Sequence, residues 1–259
     1  MIKPQLLPFY ILLLLAGLAT LLVEHSQLDL AISQLFYSDG QWLLAKGTQP
    51  YAFIFYDLPK GLLILLGLLL MLTLAYRYWQ HSFTTDRLPE THTTTLAWPT
   101  LLTRTSSREL GYLLLTLIVI PSTIALLKGM THVSCPNHLA VFNGDLPYLT
   151  IWQNILVNTP EKCFPAAHAS AGFSLFGLAY LPRFRPQRRK IIIAVIIAGW
   201  IMGLYKMSIG DHFFSHTLVS MLLAWAGACG LAAFIFAKDK RAVKNYVGRW
   251  SHQNYRAPR

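Results

Sequence analysis

Long apolar runs alternate with short polar stretches along the chain, and the run lengths predict the elements. Residues 6–23, 61–79, 110–127, 191–207 and 217–236 are each apolar over about the length a helix needs to cross a ~30 Å hydrocarbon core. Residues 166–181 form a shorter run, which makes a further span if it tilts little or starts inside a protein-lined site. The pattern predicts an all-α integral membrane protein with six transmembrane helices. A Thr-rich connector at residues 78–108, with Pro89 and Pro99 breaking any helix, divides the chain. A two-helix lead (1–108) precedes a four-helix core (109–236) and a basic tail (237–259). The first run follows Lys3, as in a signal peptide, but it is longer than a typical apolar signal region. No small-x-small cleavage site follows it before Glu24, so it is expected to stay as a helix.

The segments between the runs differ in character. Residues 25–60 are rich in aromatics (Phe36, Tyr37, Trp42, Tyr51, Phe53, Phe55, Tyr56), as expected of side chains in a headgroup belt. Residues 129–165 form a second loop, with a turn signal at Asn143-Gly144-Asp145 and Pro147. Residues 148–157 fit a short amphipathic helix at the membrane surface, capping whatever lies beneath. Gly199 and Gly203 are spaced for close helix packing.

Charge orients the chain. Only 13% of its residues are charged, against about 25% in soluble domains. All but five of the 22 Lys and Arg fall near the N-terminus, in the connector or just before it at Arg77, in residues 183–190 or in the tail. The exceptions are Lys46, Lys60, Lys128, Lys162 and Lys206. The inside-positive bias therefore places both termini in the cytoplasm and these five lysines outside. The net charge of +11 reflects this bias and attraction to anionic headgroups, and nucleic acid is not an implied partner. Cys135 and Cys163 share the second outward loop, where an oxidising compartment permits a disulfide; unbridged thiols are the other reading. Cys229 reads as inert packing in the last helix.

Polar islands at the ends of apolar runs carry the chemistry. They read Lys128-x6-Cys135-Pro136, then Phe164-Pro165-Ala166-Ala167-His168, then Tyr205-Lys206-x5-His212-x3-His216. Ionisable groups at a membrane are costly, so their recurrence on one face marks a functional site. Two lysines and histidines from separate helices suit an anion such as phosphate, since phosphoryl transfer rests on positioning and on cations at the phosphate oxygens. Imidazole is the side chain best able to attack or exchange a proton near neutral pH. His132 and His138 read as interfacial.

The islands resemble those of the type-2 phosphatidic acid phosphatase superfamily, in its membrane-embedded lipid-phosphatase branch, with this chain a divergent member. That family's pattern is Lys-x6-Arg-Pro, Pro-Ser-Gly-His and Ser-Arg-x5-His-x3-Asp, and the resemblance covers roughly residues 109–236. It implies a catalytic core of the third to sixth helices with its site on the periplasmic side of a bacterial inner membrane. By resemblance His212 is the nucleophile and forms a phosphohistidine, while His168 protonates the leaving group and then activates water. Lys128 and Lys206 hold the phosphate. Cys135, Ala166, Ala167 and Lys206 replace family residues, and His216 stands where the family has an aspartate that orients the nucleophile. One helical turn separates His216 from His212, so their rings can meet. Asp211 is expected to point elsewhere.

The implied partners are a phosphorylated lipid and the bilayer, with no metal or cofactor, and no oligomeric state is implied. Hydrolysis of a lipid phosphate monoester or pyrophosphate leads. Polyprenyl pyrophosphate, phosphatidic acid, phosphatidylglycerol phosphate and lipid A phosphates are candidate substrates. Transfer to another lipid, a histidine-based metal or haem site, and a non-catalytic lipid-phosphate binder are the alternatives. Two lysines beside the histidines disfavour a cation.

Overall fold

The computed structural model describes residues 6–24, 26–84 and 105–237. The connector prolines and all but the first residue of the basic tail lie outside the described residues. The chain is mostly helical, and five helical stretches are long and apolar enough to cross a membrane: Leu7–Glu24, Phe53–Gln80, Ser107–His138, Pro182–Ser208 and Phe214–Ile235.

In chain order, α1 (Leu7–Glu24) and the short α2 (Leu28–Gln34) lead into a hairpin of β1 (Tyr37–Ser38) and β2 (Gln41–Trp42). Asp39 and Gly40 both take positive φ at its two-residue turn, the geometry that matches strand twist. A π-helical turn, Phe53–Asp57, runs directly into α3 (Leu58–Thr84), which continues past the expected end of its apolar run. Next come α4 (Ser107–Thr131), α5 (Ile151–Val157), α6 (Ala167–Phe173), α7 (Arg188–Ser208) and α8 (Phe214–Ile235). Capping boxes at Ser106 with Glu109 and at Thr150 with Gln153 start α4 and α5.

The run at 166–181 is not one α-helix. After α6 it tightens into a 3-10 helix, Ser174–Tyr180. At about 1.5 Å and 2.0 Å of rise per residue, the two pieces together reach roughly 24 Å, short of the hydrocarbon thickness. This segment is the centre of the bundle. Phe173 and Phe176 are fully buried, stacked on each other and, through Phe176, on Trp225 of α8. Gly199 explains the close approach of α7, because a Cβ there would sit 2.1 Å from the Phe173 ring. Gly203 likewise makes room for Thr217, where a Cβ would meet the side chain at 2.4 Å.

The lead packs on both flanks of this core, α1 against α8 and α3 against α4. Its loop aromatics divide in consequence. Tyr37 and Trp42 pack on Phe142, and Phe55 and Tyr56 join Tyr205 and Ile209, while Tyr51 and Phe53 stay exposed. The first four are thus partly buried by protein contacts.

Candidate active site

The turn from α7 to α8 is built around Lys206. Its carbonyl accepts from the amides of Asp211 (2.9 Å) and His212 (3.3 Å), which folds the chain back over the helix end. Gly210 makes the reversal at φ +72°, and a Cβ there would lie 2.3 Å from the Trp42 ring. Asp211 points away from the two histidines, as expected, though for another reason. It lies in this turn rather than on a helix, and its carboxylate accepts from Lys206 Nζ at 2.8 Å, with Lys46 Nζ 3.6 Å away.

His212 follows, 4% exposed, and His216 sits in the first turn of α8, 2% exposed. Although His212 precedes the helix, the two rings meet, with Nδ1 atoms 3.5 Å apart. Phe164 and Phe213 press edge-on against His216, each with centroids 5.2 Å away. Beyond His216 lies a cavity of about 30 Å³, bordered by Asp29, Tyr148, Phe164 and Ser215. Asp29 is buried and accepts hydrogen bonds from the backbone amide and hydroxyl of Ser215, so the lead supplies the cap that the start of α8 lacks.

His168 occupies the first turn of α6. The Ala166 amide bonds the His216 carbonyl at 3.2 Å and so joins the two histidine-bearing elements. Ala166 is the N-cap and offers no side-chain acceptor, where the family's serine would. The His168 ring stacks on Tyr56 at 4.2 Å, and its Nε2 is buried with no hydrogen-bond partner among the described residues. Lys206 Nζ also lies against the Tyr56 ring, 4.4 Å from its centroid.

Lys128 lies in the last turn of α4. Lys128, Lys206 and His168 all lie within electrostatic reach of His212, and Lys206, Lys60, Lys128 and Asp211 within reach of His168. The structure thus brings Lys128, His168, Lys206, His212 and His216 together at one end of the bundle. Burial pushes the His212 pKa down to about 3, aided by Lys128, Lys206 and His168 and opposed by the Cys163 backbone. The imidazole is therefore neutral at physiological pH, with a lone pair available for attack.

Cys135 and Cys163 are joined by a disulfide, with Cα atoms 5.3 Å apart. Cys135 consequently does not do the work of the arginine it replaces. Its bridge instead fixes Cys163, whose backbone adjoins both the His212 and His216 rings. His132 and His138 have structural partners, Thr159 O at 2.6 Å and Glu161 at 2.9 Å. Among the described residues, the potential metal-binding atoms that cluster belong to Cys135, His138 and Glu161, and Cys135 Sγ is already bonded in the disulfide. The histidine-based metal alternative needs His168, His212 and His216 to cluster, and they form no such group.

Sequence reasoning missed Tyr56, Lys46 and Asp29. Each reaches the site across more than a hundred residues of chain, and no local spacing marks it.

Comparison with known proteins fits this arrangement. The Lipid A 4'-phosphatase of Francisella tularensis subsp. novicida (strain U112) is 32% identical over 105 residues, covering 38% of this chain and 45% of that protein. The chain thus matches less than half the length of that relative. No solved structure matches it significantly. The model of the PAP2 superfamily matches residues 109–240, just over half of the chain and the part that holds all three islands, and the chain belongs to that superfamily.

Proposed function

We propose that this protein is a membrane lipid phosphatase that hydrolyses a lipid phosphate monoester or pyrophosphate at the outer leaflet. The observation that carries the reading is the convergence at one end of the bundle of a buried His212, its ring 3.5 Å from that of His216, with His168 and Lys206 both laid against the Tyr56 ring. His212 attacks phosphorus and forms the P–N bond as the bond to the leaving oxygen breaks. His168 donates the proton that this oxygen needs. Water then attacks the phosphohistidine, His168 takes the proton back, and phosphate leaves. Lys128 and Lys206 neutralise the phosphate oxygens, which is where most of the catalysis of phosphoryl transfer lies. His216 fixes the His212 ring in place of the family's aspartate.

Topology follows the same reading. Residues 167–180 make the fourth of six crossings, sheltered by the other helices, so that their length need not match the bilayer. Both termini are cytoplasmic and the site faces the periplasm. The partial likeness to a lipid A 4'-phosphatase makes a phosphorylated saccharolipid the first substrate to try. Purified protein in detergent, with chelator present, is expected to release phosphate from such a lipid or from polyprenyl pyrophosphate or phosphatidic acid. His168→Ala should lower turnover about 100- to 10,000-fold. Wild-type release by His212→Ala would refute the proposal. Products formed with an acceptor lipid present separate hydrolysis from phosphotransfer.

A further inference from the structure

We infer that Tyr56, which lies outside the family match, is a positioning residue that holds the His168 imidazole and the Lys206 ammonium in working alignment. The inference rests on the roles proposed above for those two residues.

Three features place the Tyr56 ring. The π-helical turn Phe53–Asp57 is docked on the end of α7, where Ala52 packs with Tyr205 and Ile209, joined by Phe55 and Tyr56. The Leu44 amide bonds the Ser208 carbonyl at 3.1 Å, which ties the preceding loop to the same helix end. Lys46 approaches Asp211 from that loop. With its backbone held in this way, Tyr56 lays one ring against two site residues. Its plane lies 23° from that of His168 with centroids 4.2 Å apart, and Lys206 Nζ is 4.4 Å from its centroid. Lys60 Nζ lies 5.7 Å from the same ring.

Each contact constrains something chemistry needs. Rotation of the imidazole about its ring bond would break the stack, and among the described residues no hydrogen bond at Nε2 fixes the ring plane instead. The face of an aromatic ring attracts ammonium groups, so the ring also holds Lys206 where a phosphate oxygen can reach it. A proton donor works only within hydrogen-bond reach of its oxygen, and misplacement by about 1 Å costs on the order of 100-fold. The motif region supplies the reacting groups and the N-terminal lead supplies their alignment.

The test uses full-length protein in detergent, with dioleoyl phosphatidic acid and a bisphosphorylated saccharolipid as probes. Tyr56→Phe keeps the ring and should stay within about threefold of wild type. Tyr56→Leu should lose about 10- to 100-fold in kcat, with a smaller change in KM. NMR of histidine-labelled protein gives a second readout without turnover. The His168 ring signal, assigned by its loss in His168→Gln, should show the upfield displacement of a stacked ring in wild type and Tyr56→Phe. Wild-type kcat in Tyr56→Leu beside an inactive His168→Ala would overturn the inference, as would equal losses in the Phe and Leu variants. Should Tyr56→Leu not fold, an undisplaced His168 signal in wild type overturns it. If His168→Ala and His212→Ala both turn over normally, the phosphatase reading fails instead, and the NMR signal alone judges the stack.

Discussion

His212, the nucleophile of the proposed reaction, also bears on stability through its burial. Its folded pKa lies below its ordinary value of 6.5, chiefly through burial. The unfolded chain therefore binds a proton that the folded protein refuses as pH falls, and stability drops from pH 6.5 downward toward about pH 3. The drop attributable to this residue approaches about 1.4 kcal/mol per pH unit. His212→Asn, which cannot titrate, should flatten that part of a melting-temperature profile measured between pH 7 and 5. At this scale the sequence was partly legible. Lys128, His168 and His212 keep the spacing of a known chemistry, and helix-end positions bring them together. Tyr56 and Lys46 were illegible because an aromatic or a lysine in a loop between apolar runs looks the same whether it faces its surroundings or packs on a distant histidine or aspartate. Cys135 could be read either as a lost phosphate ligand or as half of a bridge, and only the fold puts Cys163 beside it.

At the scale of elements, the start of α8 depends on a group borrowed from another element. Asp29 of α2 serves the Ser215 amide and hydroxyl, and Phe213 at the N-cap offers no side-chain bond. Asp29→Ala should cost about 1–2 kcal/mol, read as a lower melting temperature, whereas Asp29→Asn keeps an acceptor and should cost less. Burial raises the Asp29 carboxyl above its usual value. Its contribution is therefore fullest at low pH and fades as pH rises through the folded pKa, and Asp29→Asn should remove that dependence. The bundle centre makes a matching prediction. Gly199→Ala drives a Cβ into the Phe173 ring and should destabilise by about 1–3 kcal/mol in the same melting assay. Five apolar runs announced their helices plainly. The run at 166–181 did not, because hydropathy carries no sign that a helix will stretch from α to 3-10 geometry midway.

The whole molecule is a family core completed by its lead and stapled between the loops at one end of its bundle. The Cys135–Cys163 bridge spans a separation of 28 residues, which by chain entropy stabilises the fold by about 3–4 kcal/mol. Because Cys163 also adjoins both histidines, reduction or Cys163→Ser should lower the melting temperature and the turnover together. The central claim is that His212 carries the phosphoryl group between lipid and water. Rapid quenching with a radiolabelled phospholipid, followed by peptide mass spectrometry, tests it most directly. The predicted result is an acid-labile, base-stable phosphoryl group on the peptide containing His212, present in wild type, slower to form in His168→Ala and absent in His212→Gln. A phosphorylated enzyme that persists in His212→Gln, or wild-type turnover by that variant, would contradict the account.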